Sequence, residues 1–288
     1  MTLPAALDRA VRVRADGFAW LGAFERPLPR AAWARLDAAA RRAFLLHALA
    51  GRIYASYYAP GRPVPSARTP RPREPDASFV RALARAHPER TRWDPGWRVE
   101  GRDGDAVVAA KDGLRVRAAA ASVRDGALRR PAGSCGPSPG FWLTGAGWPG
   151  PSTRLYWHLR PGGAAPLVRF AGTTLRDAGI AYRLKVLHHP ASYVRCDAGV
   201  LVVPAARSAE ARALALAFQR RLRPHMRART PPWTRPLAAG LAEAPDPATG
   251  ESFGLACSRL AAEGLLDARA AGARTAEARR AHVAAAFA

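Results

Sequence analysis

Three stretches of the chain divide, by the two-residue period of a β-strand, into a polar and an apolar side. In RLYWHLR, Arg154, Tyr156, His158 and Arg160 share one side, and Leu155, Trp157 and Leu159 the other. In YRLKVLHH, Arg183, Lys185, Leu187 and His189 alternate with Tyr182, Leu184, Val186 and His188. In YVRCD, Tyr193, Arg195 and Asp197 fall on a common side. Laid next to one another, these segments form a surface of several cations with two histidines and two tyrosines: an anion site that contains groups able to move protons. A half-exposed antiparallel sheet alternates in the same way, so a solvated sheet face is the competing reading.

The basic residues separate the two readings. The chain has 45 basic and 22 acidic residues, a formal net charge of +23, and only two lysines, Lys111 and Lys185. Arginine fills nearly every basic position, as GC-rich coding produces. Lys111 sits in the turn sequence KDG and reads as an ordinary surface residue. Lys185 lies between apolar residues of a strand. A buried ammonium, or one set among like charges, sheds its proton and becomes a base; a guanidinium does not. A general base contributes roughly 10²–10⁴ in rate, a chemical reason for lysine at this one position.

The elements that must hold these residues are legible in outline. Apolar residues at three- and four-residue steps predict one helix over 31–58, closing in the aromatic cluster Tyr54, Tyr57 and Tyr58 before Pro60. The Pro- and Arg-rich stretch 60–75 predicts an extended surface linker. A short helix over 76–86 precedes a meander in which RDGD and KDG separate three strands between Trp97 and Val116. Strands are then expected at 154–160, 182–188 and 198–203, with helices near 173–178, 208–222, 253–266 and 275–287. The fold class is therefore α+β: a helical N-terminal region over 1–90, then an α+β region over 91–288 with a mixed or antiparallel sheet flanked by helices.

Several motifs fail on physical grounds. Gly136-Pro-Ser138-Pro-Gly140 spells a nucleophile elbow, but Pro139 lacks the backbone N–H that the oxyanion hole requires. Gly145-Ala-Gly147-Trp-Pro-Gly150 spells a dinucleotide fingerprint, yet Pro149-Gly150-Pro151 breaks the chain where its helix must propagate. His188 and His189 point to opposite strand faces and match no recurrent zinc spacing. Cys135, Cys196 and Cys257 form no close pair, which fits a reducing cytoplasm. No apolar run approaches the roughly 18 residues of a membrane span. The net charge alone supports only nonspecific nucleic-acid binding, and no nucleic-acid module is legible.

The run from Arg154 through VVP, with PPWTRPLAAGLAEAPDPATGESFG beyond it, resembles the HopA-type effector family. Its named members are type III effectors of plant pathogens. Close relatives are lyase subunits that partner a phosphotransferase-like kinase in class V lanthipeptide and thioamitide biosynthesis. The likeness covers about Gly140 to Leu266, more loosely LAGRIYASYYAPG and the meander, and rests on R-x-Y-W, Y-R-x-K, Y-x-R-x-D and E-S-F-G. It implies β-elimination of phosphate from phosphoserine or phosphothreonine of a precursor peptide, without metal or organic cofactor. On that reading Lys185 is the base and Arg154, Arg183 and Arg195 bind the leaving phosphate. His189, His158 or Tyr156 protonates the leaving oxygen, and Tyr193, Asp197 and Glu251 orient the groups. Where the family carries a polar or basic pair after E-S-F-G, this chain reads Leu255-Ala256-Cys257-Ser258-Arg259, so the resemblance implies that a phosphate contact made by that pair is either lost here or moved to Arg259. The alternative is a non-catalytic effector-like module that binds a phosphopeptide, or an acidic peptide, in the same basic cleft.

Overall fold

The computed structural model of the 288-residue chain describes residues 1–71, 73–136, 138–247 and 251–288. Residue 137 of the Gly136–Gly140 motif, residue 72 of the Pro/Arg-rich stretch and residues 248–250 ahead of Glu251 lie outside them. Helices α1 (Ala5–Ala10), α2 (Arg30–Ala34), α3 (Ala38–Ile53) and α4 (Ala77–Ala86) occupy the N-terminal part, with a small antiparallel sheet of β1 (Val11–Val13), β2 (Phe18–Trp20) and β3 (Ala23–Glu25). The expected single helix over 31–58 is thus two helices and a turn. Asp37 interrupts it, because its carboxylate accepts from the Ala40 N–H at 2.7 Å and caps α3 instead of continuing α2. Leu45, Leu49 and Ile53 then recur at four-residue steps and are buried. At Tyr54–Tyr58 the helix widens into a π-turn that ends at Pro60.

The Pro/Arg-rich stretch is not a loose linker. Val64 is buried, and its carbonyl accepts from Trp20 Nε1 at 2.8 Å. The Ser66 hydroxyl donates to Glu25, and the Ser56 and Thr69 hydroxyls share a 2.7 Å hydrogen bond. Proline excludes regular structure here but leaves the carbonyls free to be bonded from outside.

The expected meander is present as β5 (Arg98–Asp103), β6 (Ala106–Lys111) and β7 (Leu114–Ala119). Beside it, β4 (Thr91–Pro95), β8 (Val123–Arg124) and β9 (Ala127–Pro131) make another small sheet. The central sheet has seven strands: β10 (Gly133–Cys135), β11 (Phe141–Gly145), β12 (Ser152–Trp157), β13 (Arg183–Leu187), β14 (Gly199–Pro204), β15 (Arg235–Ala238) and β16 (Leu241–Pro245). Their spatial order is β10-β11-β13-β14-β12-β16-β15, and every pairing is antiparallel. Helices α5 (Ala164–Phe170), α6 (Ser208–Leu222), α7 (Phe253–Ala270) and α8 (Ala276–Ala286) complete the α+β fold. The helix expected near 173–178 is α5 running into a second π-turn, Ala171–Leu175. Among the described residues no helix is long and apolar enough to cross a membrane.

The sheet has two unlike faces. Leu155, Trp157, Leu184, Val186, Leu201 and Val203 project to one side and join residues of α4, α5 and α6 in the largest core. Each such side chain contributes about 1.5–3 kcal/mol on full burial. The opposite side carries Arg154, Tyr156, Arg183 and Lys185 between Val200 and Val202. The π-turn at Tyr54–Tyr58 and the start of α7 pack over it, placing Tyr58, Phe253 and Cys257 against Tyr156, Val200 and Val202.

Candidate functional site

Strand register assembles the polar face. Arg154 and Arg183 both lie opposite Val202, and Tyr156 and Lys185 flank Val200 from either side. The four residues therefore form two rows across three strands, with partners in a row about 10 Å apart at the Cα atoms. The first row is arginine on both sides of valine. Arg154 forms an ion pair with Asp246, and Arg183 Nη2 stands 3.8 Å from the other Asp246 oxygen. Arg183 also lies over the Trp148 ring, 5.1 Å from guanidinium carbon to centroid. Its side chain is 53% exposed against 12% for Arg154, so Arg183 is the cation a ligand meets first. Arg154 Nε and Trp148 Nε1 are buried without hydrogen-bond partners among the described residues. A cavity of about 160 Å³ between β9, β10 and β11 reaches Arg183 and brings Arg92 and Arg130 to its wall.

Lys185 is half-buried and, among the described residues, forms no ion pair with a carboxylate. Its Nζ stands over the Phe141 ring at 4.8 Å from the centroid. Burial pushes its pKa down; the charge of Asp197 opposes this, and Arg154 and Arg195 add to it. The result is an ammonium lowered to about 8, an amine that is partly free near neutral pH.

The segment YVRCD is not a strand. Pro190 opens a 3₁₀ turn over Pro190–Ser192, and the chain stays in turns as far as Ala198. Tyr193 therefore departs from the side of Arg195. Its hydroxyl donates to the Leu187 carbonyl at 2.7 Å, and its ring meets Phe79 edge-on in the main core. Arg195 and Asp197 do stay together. The guanidinium forks onto both carboxylate oxygens at 2.7 Å each, and Nη2 donates to the Tyr54 hydroxyl at 2.8 Å. Burial works to raise the Asp197 pKa, but the Arg195 charge and hydrogen bonds override it and hold the carboxyl below its usual range. Burial raises the pKa of the Tyr54 phenol.

An aromatic wall closes this face. Tyr54 stacks on Tyr58 at 5.7 Å, Tyr58 stacks on Trp233 at 6.4 Å, and Tyr57 meets Trp233 edge-on. Burial also lifts the pKa of Tyr58 and of Tyr156, so both phenols keep their protons. The Tyr58 hydroxyl has no hydrogen-bond partner among the described residues, although Tyr156 lies beside it. E-S-F-G acquires a structural meaning here. Ser252 caps α7 by accepting from the Leu255 N–H at 3.3 Å, and Phe253 packs on Tyr156 at 6.4 Å. A Cβ on Gly254 would stand 2.2 Å from the Tyr58 ring, so only glycine leaves room for the wall.

The other expected site residues lie apart. His158 follows the end of β12, bonds the Arg229 carbonyl through Nδ1 at 3.1 Å and approaches Cys196 Sγ at 3.6 Å. Burial lowers its pKa to about 4, so it is a neutral imidazole. His189 caps the 3₁₀ turn by accepting from the Ala191 N–H at 3.1 Å. Arg259 is held on α7 by Glu263 at 2.9 Å and Glu251 at 3.7 Å. Glu251 presents its carbonyl to Arg154 Nη2 at 3.4 Å. Tyr156 alone of the expected proton donors shares the face of Lys185. Sequence reasoning missed Phe141, Asp246, Trp148 and the positioning roles of Tyr54 and Tyr58. Of these, only the tyrosines carried a signal, their cluster at a helix end.

Residues 144–288 match the HopA1 effector protein family. The fold is similar to that of the effector protein from Pseudomonas syringae pv. tomato strain DC3000, at 13% identity and TM-score 0.44, covering 78% of this chain and 79% of that one. The effector protein from Pseudomonas syringae pv. syringae strain 61 is similar at 14% identity and TM-score 0.42, covering 84% and 88% of the two chains. No curated protein matches this chain. With half its length matched, and the matched half carrying β12 to β16 and the polar face they build, the chain belongs to the HopA1 effector protein family.

Proposed function

We propose that this protein eliminates phosphate from phosphoserine or phosphothreonine residues of a peptide, leaving dehydroalanine or dehydrobutyrine. The observation that supports this reading is Lys185: a half-buried lysine with no carboxylate ion pair among the described residues, a pKa lowered to about 8, and arginines on the neighbouring positions of its own sheet face. Lys185 takes the α-proton; the C–H electron pair becomes the Cα=Cβ double bond; the Cβ–O bond breaks and its pair leaves with phosphate. Arg183, with Arg154 behind it, receives the phosphate, since guanidinium forks match its oxygens. The Tyr156 phenol, protonated at neutral pH, is the proton donor on this face. A phosphotransferase-like kinase supplies the phosphorylated precursor peptide, and the reaction takes place in the cytoplasm.

The test is incubation of a phosphothreonine peptide with the protein, followed by mass spectrometry and assay of free phosphate. The wild type releases phosphate. Lys185→Ala and Lys185→Arg each lose about 10²–10⁴ in rate, the arginine variant because it keeps the charge but cannot be a base. Unchanged release by Lys185→Arg defeats the mechanism.

A second reading is a phosphopeptide-binding module without turnover. It is favoured by the engagement of Arg154 with Asp246 and of Arg195 with Asp197, and by the apolar Leu255-Ala256 where the family resemblance implies a polar pair. It predicts saturable phosphopeptide binding with no phosphate released.

A further inference from the structure

A separate cavity of about 600 Å³ opens beside His158. Four arginines line it: Arg62 and Arg68 from the Pro/Arg-rich stretch, and Arg227 and Arg229 from the segment after α6. Among the described residues no acidic side chain lines it. All four arginines are exposed, and among the described residues no carboxylate pairs with any of them. Arginines elsewhere are matched differently: Arg195 with Asp197, Arg212 with Glu243 and Arg279 with Asp8.

The two walls are fixed. The Arg227 N–H donates to the His158 carbonyl at 2.8 Å, and the Gly240 N–H donates to the Ala228 carbonyl at 2.9 Å. The opposite wall is held by the Val64 N–H on the Ser56 carbonyl at 2.8 Å and by Trp20 on Val64. The walls meet where Gly61, at φ +70°, lies so close to Cys196 that a Cβ would stand 2.4 Å from its sulfur. At the base, His158 is 3% exposed and its Nε2 has no hydrogen-bond partner among the described residues. Like charges held this near one another repel, and a concave, low-dielectric wall focuses their field on whatever fills the space between them.

We propose that this cavity is a second anion-binding site, distinct from the Lys185 face, and that it holds a carboxylate-rich segment of a peptide. Guanidiniums recognise carboxylates and phosphates alike, so the apolar part of the lining decides between occupants. Val194 is 52% exposed at the rim, and prolines of the 60–75 stretch stand opposite it. These surfaces suit the side chains of a peptide and have nothing to offer a bare polyphosphate. Among the described residues no Phe, Tyr or Trp lines the cavity to stack a nucleobase, and the one ring there, His158, is buried at its base. Val194 also precedes Arg195 in one turn, so a peptide lodged here passes beside the pair that borders the Lys185 face. The proposal does not depend on elimination at Lys185.

The probe is a fluorescein-labelled, unphosphorylated peptide alternating glutamate and leucine, followed by anisotropy at physiological salt. Arg227→Glu with Arg229→Glu weakens binding by roughly tenfold or more, and so does Arg62→Glu with Arg68→Glu on the opposite wall. The charge-matched pair Arg220→Glu with Arg221→Glu, at the exposed end of α6, leaves affinity within about twofold, as does Lys185→Ala. Equal losses from all the double reversals overturn the site in favour of bulk charge. Val194→Ser weakens the peptide, and inorganic triphosphate competes poorly. Tighter binding of triphosphate than of peptide, with Val194→Ser silent, overturns the assignment to a peptide.

Discussion

Lys185 and Arg195 share one aromatic ring. The ammonium lies 4.8 Å and the guanidinium carbon 5.6 Å from the centroid of Phe141. The electron-rich ring face draws in two cations that repel each other, and Asp197 neutralises only the second.

This arrangement predicts a titration. The ring favours the charged form of Lys185, so Phe141→Leu lowers its pKa further below about 8. A cation–π contact is worth about 0.5–2 kcal/mol, which corresponds to roughly 0.4–1.5 pH units. With only two lysines in the chain, ¹³C-lysine labelling resolves the Lys185 signal directly. If Lys185 is the base of the proposed elimination, phosphate release by the wild type rises with pH through about 8 and levels off as the amine loses its proton. An unmoved or raised midpoint in Phe141→Leu shows that the ring does not hold the charge.

Asp197→Ala leaves Arg195 buried without a carboxylate, held only by the Tyr54 hydroxyl and the rings of Tyr54 and Phe141, and costs about 3–5 kcal/mol of stability. The pH dependence follows from the depressed Asp197 pKa. The stabilisation is present above the unfolded carboxyl value of 3.8 and is lost as pH falls through the lower folded value. Urea denaturation at neutral and acid pH measures both effects. A variant that loses as much stability in acid as the wild type places the source elsewhere.

Gly254→Ala forces its new methyl group into the Tyr58 ring and destabilises by about 1–3 kcal/mol. Gly147→Ala, with nothing within 4 Å of its new Cβ, stays within about 0.5 kcal/mol. Near-ultraviolet circular dichroism of the Tyr58–Trp233 stack changes in the first variant and not in the second. Equal thermal shifts would mean that glycine is not there for the wall.

The rows Arg154–Arg183 and Tyr156–Lys185 were readable because one sheet face is packed into a core, and a period of two then assigns every residue to a side. The same rule misplaced Tyr193, since it presupposes extended backbone and Pro190 begins a turn. His158 and His189 stand just past the strand ends, where the period no longer governs direction. Strands such as LAEAP in β16 went unseen because alanine and proline carry no strand preference. Phe141, Asp246, Tyr54 and Tyr58 join the site through tertiary packing from distant segments. The tyrosines announced only a cluster at a helix end, and nothing local to Phe141 or Asp246 announced even that.

The cover over the polar face comes from segments on either side of the sheet in sequence: Tyr54 and Tyr58 precede it, while Phe253 and Gly254 follow it. On a ribosome the tyrosines emerge first, the basic strands next, and the helix that seats the tyrosines last. A growing chain thus displays Lys185 and its arginines uncovered until α7 has been made. The polar face is covered only once α7 has been made, so a chain cut before Phe253 keeps the cations and lacks the helix against which Tyr58 packs.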